Sequence, residues 1–297
     1  MLRRPRGNMN LRDVLLATLA AFIWGATFPI SAIALETTPP IFFAFLRFLC
    51  AAMFVLVIPR PMVPWSKLLA LGLLLGAGQF GFMFVSMTRG VPAGLASLLI
   101  HTQAFFTIII AMFVFSERLG RRQAFAIGLA VCGFVLLAID KTSVGAIDGF
   151  LLILIAALCG AAGNNVLKSL GKVDMLAVAV WMSLAAPIPL FLMSLFLESN
   201  GAIEPLFATI SWATIGAVIY SAVLATVFVY AIWGKLLTSH AAASVAPFFL
   251  LVPVFGLSLS AVVLGERLSM LQMIGAIVIF AGLAIALWPR RIAAPGD

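Results

Sequence analysis

Apolar runs long enough to cross a bilayer recur down this chain, with proline, glycine and charge gathered at the breaks between them. Ten such runs lie near residues 12–34, 40–58, 67–88, 93–115, 121–139, 147–168, 174–197, 209–234, 239–264 and 270–288. None alternates with the period of two that an outer-membrane barrel strand requires, so the pattern predicts helices. The breaks fall at Pro39-Pro40, Pro59 to Pro64, Gly90-Val91-Pro92, Gly171, Gly201 and Pro289.

The pattern also repeats. Glu117-Arg118-Leu119 closes one apolar run and Glu266-Arg267-Leu268 closes another 149 residues later, half of the 297-residue chain (117 to 266). Each triplet is followed four residues on by a glutamine, Gln123 or Gln272. Residues 1–140 and 141–297 therefore read as two five-helix units. Five is odd, so two such units in series lie upside down relative to each other. The expected fold is an all-α membrane protein of ten transmembrane helices, two inverted five-helix repeats around a central cavity, within one membrane domain.

Composition agrees. The chain is 64% hydrophobic and 9% charged, with a mean hydropathy of +1.21. A soluble protein of this length has no means of covering so much apolar surface. The isoelectric point near 10.1 does not point to nucleic acid, because the basic residues sit in short loops. With the N-terminus placed in the cytoplasm, 14 of the 18 basic residues fall in cytoplasmic segments, so both termini are expected there. The stretch after Arg3, Arg4 and Arg6 is long enough to span and shows no convincing cleavage site, so it reads as a first helix rather than a signal peptide. Cys50, Cys132 and Cys159 all fall within apolar runs, which argues against a disulfide framework or a metal site. No cofactor is implied.

The residues quoted so far, with Trp24-Gly25 and Leu46-Arg47-Phe48, resemble the drug/metabolite transporter superfamily, EamA type. Gln79-Phe80, the stretch Pro92 to Leu98, Gln103 to Thr107, Ile232-Trp233-Gly234, Val245-Ala246-Pro247 and Leu250 to Val254 are similar to bacterial cysteine and O-acetylserine exporters and to YddG-type amino-acid exporters. The chain departs from the family at Thr27, where members often carry Asn, and from the cysteine exporters at His101, where they carry Gln. The resemblance implies export of amino acids or related metabolites across the bacterial inner membrane, through a cavity lined by both halves.

Polar side chains at membrane depth are few, and such groups usually face protein or water along a pathway. His101, mid-way along the fourth run, either bonds a substrate carboxylate or takes up a proton, or else it is a neutral ring tied to a neighbouring carbonyl. Ser97 lies one turn away on the same face. Gln79, with Met83 beyond it, either lines the path or stitches helices together. Of the adjacent Asn164 and Asn165, Asn164 shares a face with Gly160 and is the better cavity candidate. Trp24 either stacks on an apolar substrate side chain, faces an ammonium group, or packs in the core. Thr27, Tyr230 and Ser244 complete the substrate-binding set, whereas Trp233, near a helix end, reads as an interfacial anchor. Pro29, Pro247 and Pro253 are either gating hinges or static kinks. Arg47 is expected to be structural, bonded to helix-end carbonyls or an external acid. Glu117, Arg118, Glu266 and Arg267 are also expected to be structural, each acid sitting beside the N-terminus of the helix that follows it.

No run holds a central Asp or Glu, and no Walker sequence is present, so the chain does not hydrolyse ATP. A cavity without permanent charge is expected, suited to amino acids or related zwitterionic metabolites, by facilitated efflux or by proton exchange through His101. The partners are thus small solutes and the lipid bilayer, not nucleic acid, and one chain carrying both repeats suffices as a monomer. A pump for lipophilic cations or drugs would need a buried acid. An intramembrane enzyme would need a convergent catalytic set beyond Ser97 and His101. A passive channel would need pore rings of like residues.

Overall fold

The computed structural model describes residues 9–116, 118–139 and 147–287. Glu117, Arg3, Arg4, Arg6, Arg290 and Arg291 lie outside the described residues. Within them the chain is helical, with no strand. Eight helices are long and apolar enough to cross a membrane: α1 Leu11–Leu35, α3 Trp65–Thr88, α4 Ala93–Val114, α6 Ile147–Lys168, α7 Met175–Leu197, α8 Trp212–Ser239, α9 Ser244–Val263 and α10 Met270–Leu287. The apolar helix α2, Pro40–Leu56, is shorter and ends in a 3₁₀ turn. Helix α5, Arg121–Ile139, lies along α10.

The bundle is built as a membrane protein must be, with apolar side chains on both its inside and its outside. Phe43, Phe84, Leu95, Leu98 and Leu99 are buried, while Leu73, Phe125, Val135, Phe196 and Ile277 point outward and stay exposed. Without a hydrophobic drive between helices in lipid, close approach at small residues holds them together. A Cβ built on Gly25 of α1 would lie 2.6 Å from Phe255 of α9, and one built on Gly133 of α5 would lie 2.5 Å from Ile279 of α10. Either glycine enlarged to alanine would force these helices apart.

The helices are not regular rods. Gly72–Gly78 in α3 and Tyr220–Phe228 in α8 are π-helical. Helix α4 breaks at Thr102, and α9 breaks at Leu250 between Pro247 and Pro253. Pro29 stays buried inside a continuous α1. π segments widen a helix by one residue per turn and recur at functional sites. The first ends directly before Gln79 and the second ends two residues before Tyr230, polar residues that both line the interior cavity.

Several helix starts are satisfied in one of two ways. Where the residue before the helix offers an acceptor, it caps: Asn10 accepts from Asp13 N at 2.8 Å, and Ser269 accepts from Gln272 N at 3.1 Å while Gln272 Oε1 takes Ser269 N at 3.0 Å. Helices α2, α3 and α4 each follow a proline, which offers no such acceptor, and at α2 and α4 a distant carboxylate takes over. Helix α2 begins after Pro39, and Glu198 accepts from Ile41 N (2.8 Å) and Phe42 N (3.0 Å). Helix α4 begins after Pro92, and Glu266 accepts from Ala93 N (2.7 Å) and Gly94 N (2.9 Å).

This corrects the expectation for Glu266, which caps α4 rather than the helix after it. The start of α10 is already satisfied by Ser269 and Gln272, and Gly265 (φ +67°) turns the chain so that the carboxylate reaches across. Both clamps gather where α1 ends, together with Thr38 Oγ1 on Thr209 O (3.2 Å) and the exposed Arg89–Asp148 pair (3.1 Å). Arg118 and Arg267 are exposed.

Candidate functional site

A cavity of about 300 Å³ sits inside the bundle, walled by residues of α1, α2, α3, α4, α6, α7, α8 and α9. Seven of the nine expected substrate-binding residues meet on it: Trp24, Thr27, Gln79, Met83, His101, Asn164 and Tyr230. They come from five helices, α1, α3, α4, α6 and α8, so no local signal brings them together.

Two do not reach it. Ser97 is fully buried, seated against Gly256, with its hydroxyl donating to Gly94 O at 2.6 Å. Its face of α4 is the one that α9 covers. Ser244 is half-buried near the start of α9, away from the cavity.

The walls differ in character. On one side Trp24 donates Nε1–H to Ala225 O across to α8 (2.8 Å) and packs against Tyr230, Trp233 and Phe249, with ring centroids 5.2–5.7 Å apart. Trp233 is thus part of the cavity wall and not an interfacial anchor. Its ring fills a pocket next to Trp24 that the position near a helix end did not reveal. The His101 ring packs on Phe249 at 4.9 Å, and its Nδ1 donates to Ser97 O at 2.5 Å. A carbonyl only accepts, so this bond fixes the proton on Nδ1 and leaves Nε2 as the nitrogen available to the cavity.

The opposite side is polar. Gln79 and Gln103 bring their side-chain amides onto Gly160 of α6. A Cβ built there would fall on Gln103 Oε1 and 2.8 Å from Gln79 Oε1. Asn164 Nδ2 lies 3.5 Å from both Gln103 Oε1 and Thr107 Oγ1, at the outer limit of a hydrogen bond. Asn165 Nδ2 donates to Thr107 O (3.2 Å), which ties α6 to α4, and to Ala161 O of its own helix (2.9 Å).

Arg47 overturns two expectations. Its side chain is 6% exposed and lines the cavity, with the guanidinium stacked 3.8 Å over the Phe80 ring. Nε and Nη1 are sealed from solvent without a hydrogen-bond partner, so the residue is tied neither to helix-end carbonyls nor to an acid. None of the described residues lining the cavity is Asp or Glu. The site therefore carries a permanent positive charge, where a neutral cleft was expected. Gln103, Ser183, Thr226 and Phe249 also line it and were missed. Polarity at membrane depth was the signal that would have found the first three. The hydroxyls of Thr27, Ser183 and Thr226 each donate to a carbonyl of their own helix, at 3.2, 2.8 and 2.9 Å. They therefore present lone pairs, not protons, to a ligand.

A mid-bundle cavity with convergent polar groups, in a chain of membrane-length helices, defines a multi-pass transport protein. Residues 11–139 and 147–288 match the EamA-like transporter family, and the chain belongs to it. It is 41% identical over 292 residues to a Salmonella typhimurium protein named "Probable amino-acid metabolite efflux pump", covering 96% of this chain and 97% of the relative. An Escherichia coli protein of the same name is 38% identical over 290 residues, covering 95% and 97%. A solved crystal structure superposes with a TM-score of 0.60 over 94% of this chain and 97% of its own, at 18% identity, a likeness of fold alone.

Proposed function

We propose that this chain exports amino acids or closely related carboxylate metabolites by alternating access, without ATP hydrolysis, and that Arg47 receives the substrate carboxylate. The observation that carries this reading is the buried guanidinium without a partner, lining a cavity that holds no acid among its described residues. A buried cation left alone is costly, and a planar fork without a partner is a fitting receptor for a carboxylate. Gln79, Gln103, Asn164 and His101 Nε2 supply neutral hydrogen bonding around it, and the Trp24 cluster accepts the apolar part. The names of the two relatives fit export of amino-acid metabolites.

The inverted repeat supports alternating access. The two family matches divide the chain in half. With α2 and α5 counted as the two remaining spans, each half has five helices. The π segments fall in the third helix of each half, and the one-residue breaks in the fourth are 148 residues apart (102 to 250). The starts of α5 and α10 both use the repeated glutamine, Gln123 Oε1 taking Gly120 N and Gln272 Oε1 taking Ser269 N. The cavity reaches toward Leu167, Met175 and Trp233, while the Glu198 and Glu266 clamps join the halves at the other end. With both termini cytoplasmic and the protein in a bacterial inner membrane, this is an inward-facing state.

The rivals fit less well. A pump for lipophilic cations would place its cargo beside Arg47 with no acid to offset the charge. In an enzyme, Ser97 would serve as nucleophile, yet its hydroxyl donates to Gly94 O away from the cavity. Counterflow of labelled amino acids in proteoliposomes tests the reading. Arg47→Gln should abolish it and Arg47→Lys retain part of it. Undiminished transport by Arg47→Gln, or preferred transport of lipophilic cations, would overturn the proposal.

A further inference from the structure

We infer that the cavity selects carboxylates of net charge −1 whose nitrogen is acylated, over the parent zwitterionic amino acids. The inference rests on the reading of Arg47 as carboxylate receptor and extends it to the rest of the ligand. A carboxylate meeting Arg47 cancels the one charge that the cavity wall carries. An α-ammonium on the same ligand would then lie a few bonds from the guanidinium, with no carboxylate among the described lining residues to offset it.

The neutral groups do not replace that missing acid. Trp24 and the three rings around it pack together, with Trp24 meeting Tyr230 and Phe249 at 74° and 83°, so they do not form an open cage around a cation. Gln79 and Gln103 turn Oε1 toward Gly160 of α6, which directs their NH₂ groups, donors only, elsewhere. His101 Nε2 and the lone pairs of Thr27, Ser183 and Thr226 are uncharged acceptors on α4, α1, α7 and α8. They accept an amide N–H as readily as an ammonium, and the amide brings no charge to be desolvated. An acyl carbonyl in turn supplies the acceptor that the NH₂ groups of Gln79 and Gln103 require. A secondary amide next to a carboxylate is therefore the better complement to this wall.

The experiment uses the full-length purified protein. The Nα-acetyl, free and carboxamide forms of serine, methionine and phenylalanine are compared as competitors of counterflow and as thermal-shift ligands. The Nα-acetyl form should compete at a concentration about tenfold or more below the free amino acid, and the cationic carboxamide should not compete. In Arg47→Lys the order should persist with weaker affinity. If the free amino acid competes as well as or better than its acetyl form while the carboxamide fails, this inference is wrong and the carboxylate role of Arg47 stands. If the carboxamide competes as well as the others, or no form competes, both are wrong.

Discussion

Glu266→Ala tests how the two halves of the chain are joined at the end remote from the cavity mouth. The carboxylate accepts two backbone N–H groups, at 2.7 and 2.9 Å, from a helix whose preceding residue, Pro92, offers no side-chain acceptor. Hydrogen bonds to a charged group contribute about 1.5–3 kcal/mol each, with the favourable helix-end field already included in part. A cavity of about 300 Å³ beside Glu266 admits water, which refills some of what is lost. The net cost is then about 2–4 kcal/mol. Thermal unfolding of the purified protein in detergent should show Tm lowered by at least ~5 °C. Glu266→Gln should fall between, since its amide oxygen serves one N–H and its NH₂ opposes the other. A variant that melts with the parent would refute the clamp.

The remaining expectations are more local. Glu198→Ala should destabilise to a similar or greater degree, because Ser194 Oγ also donates to that carboxylate at 2.6 Å, and the same melting assay reads it. His101→Ala should cut counterflow while leaving yield and melting near the parent's; parental activity across the pH range would remove His101 from the site. Gly160→Ala should raise the concentration for half-maximal transport, since the new methyl would fall on Gln103 Oε1. Adding Gln103→Ala should recover part of that loss, and no recovery would show that Gly160 acts by helix packing alone. Trp24→Phe should lose the bond to Ala225 O and about 1 kcal/mol of stability, measured by denaturation in mixed detergent.

The sequence alone determined the membrane class and most of the helix positions, and it named seven of the residues that line the cavity. Apolar length and the scarcity of polar groups at depth are one-dimensional facts, so Gln79, His101 and Asn164 stood out before any contact was known. Only tertiary structure decided which polar groups meet. Ser97 and His101 share a helix face, but α9 seals one of them and leaves the other at the cavity. Arg47 was misread because a guanidinium's partner, or lack of one, depends on helices far along the chain. Glu266 was placed beside its sequence neighbour, whereas it caps a helix about 170 residues earlier, the separation of the Ala93 bond being 173. Burial and orphaned hydrogen bonds are settled by the packing of distant segments, and the spacing of residues along one helix does not contain that information.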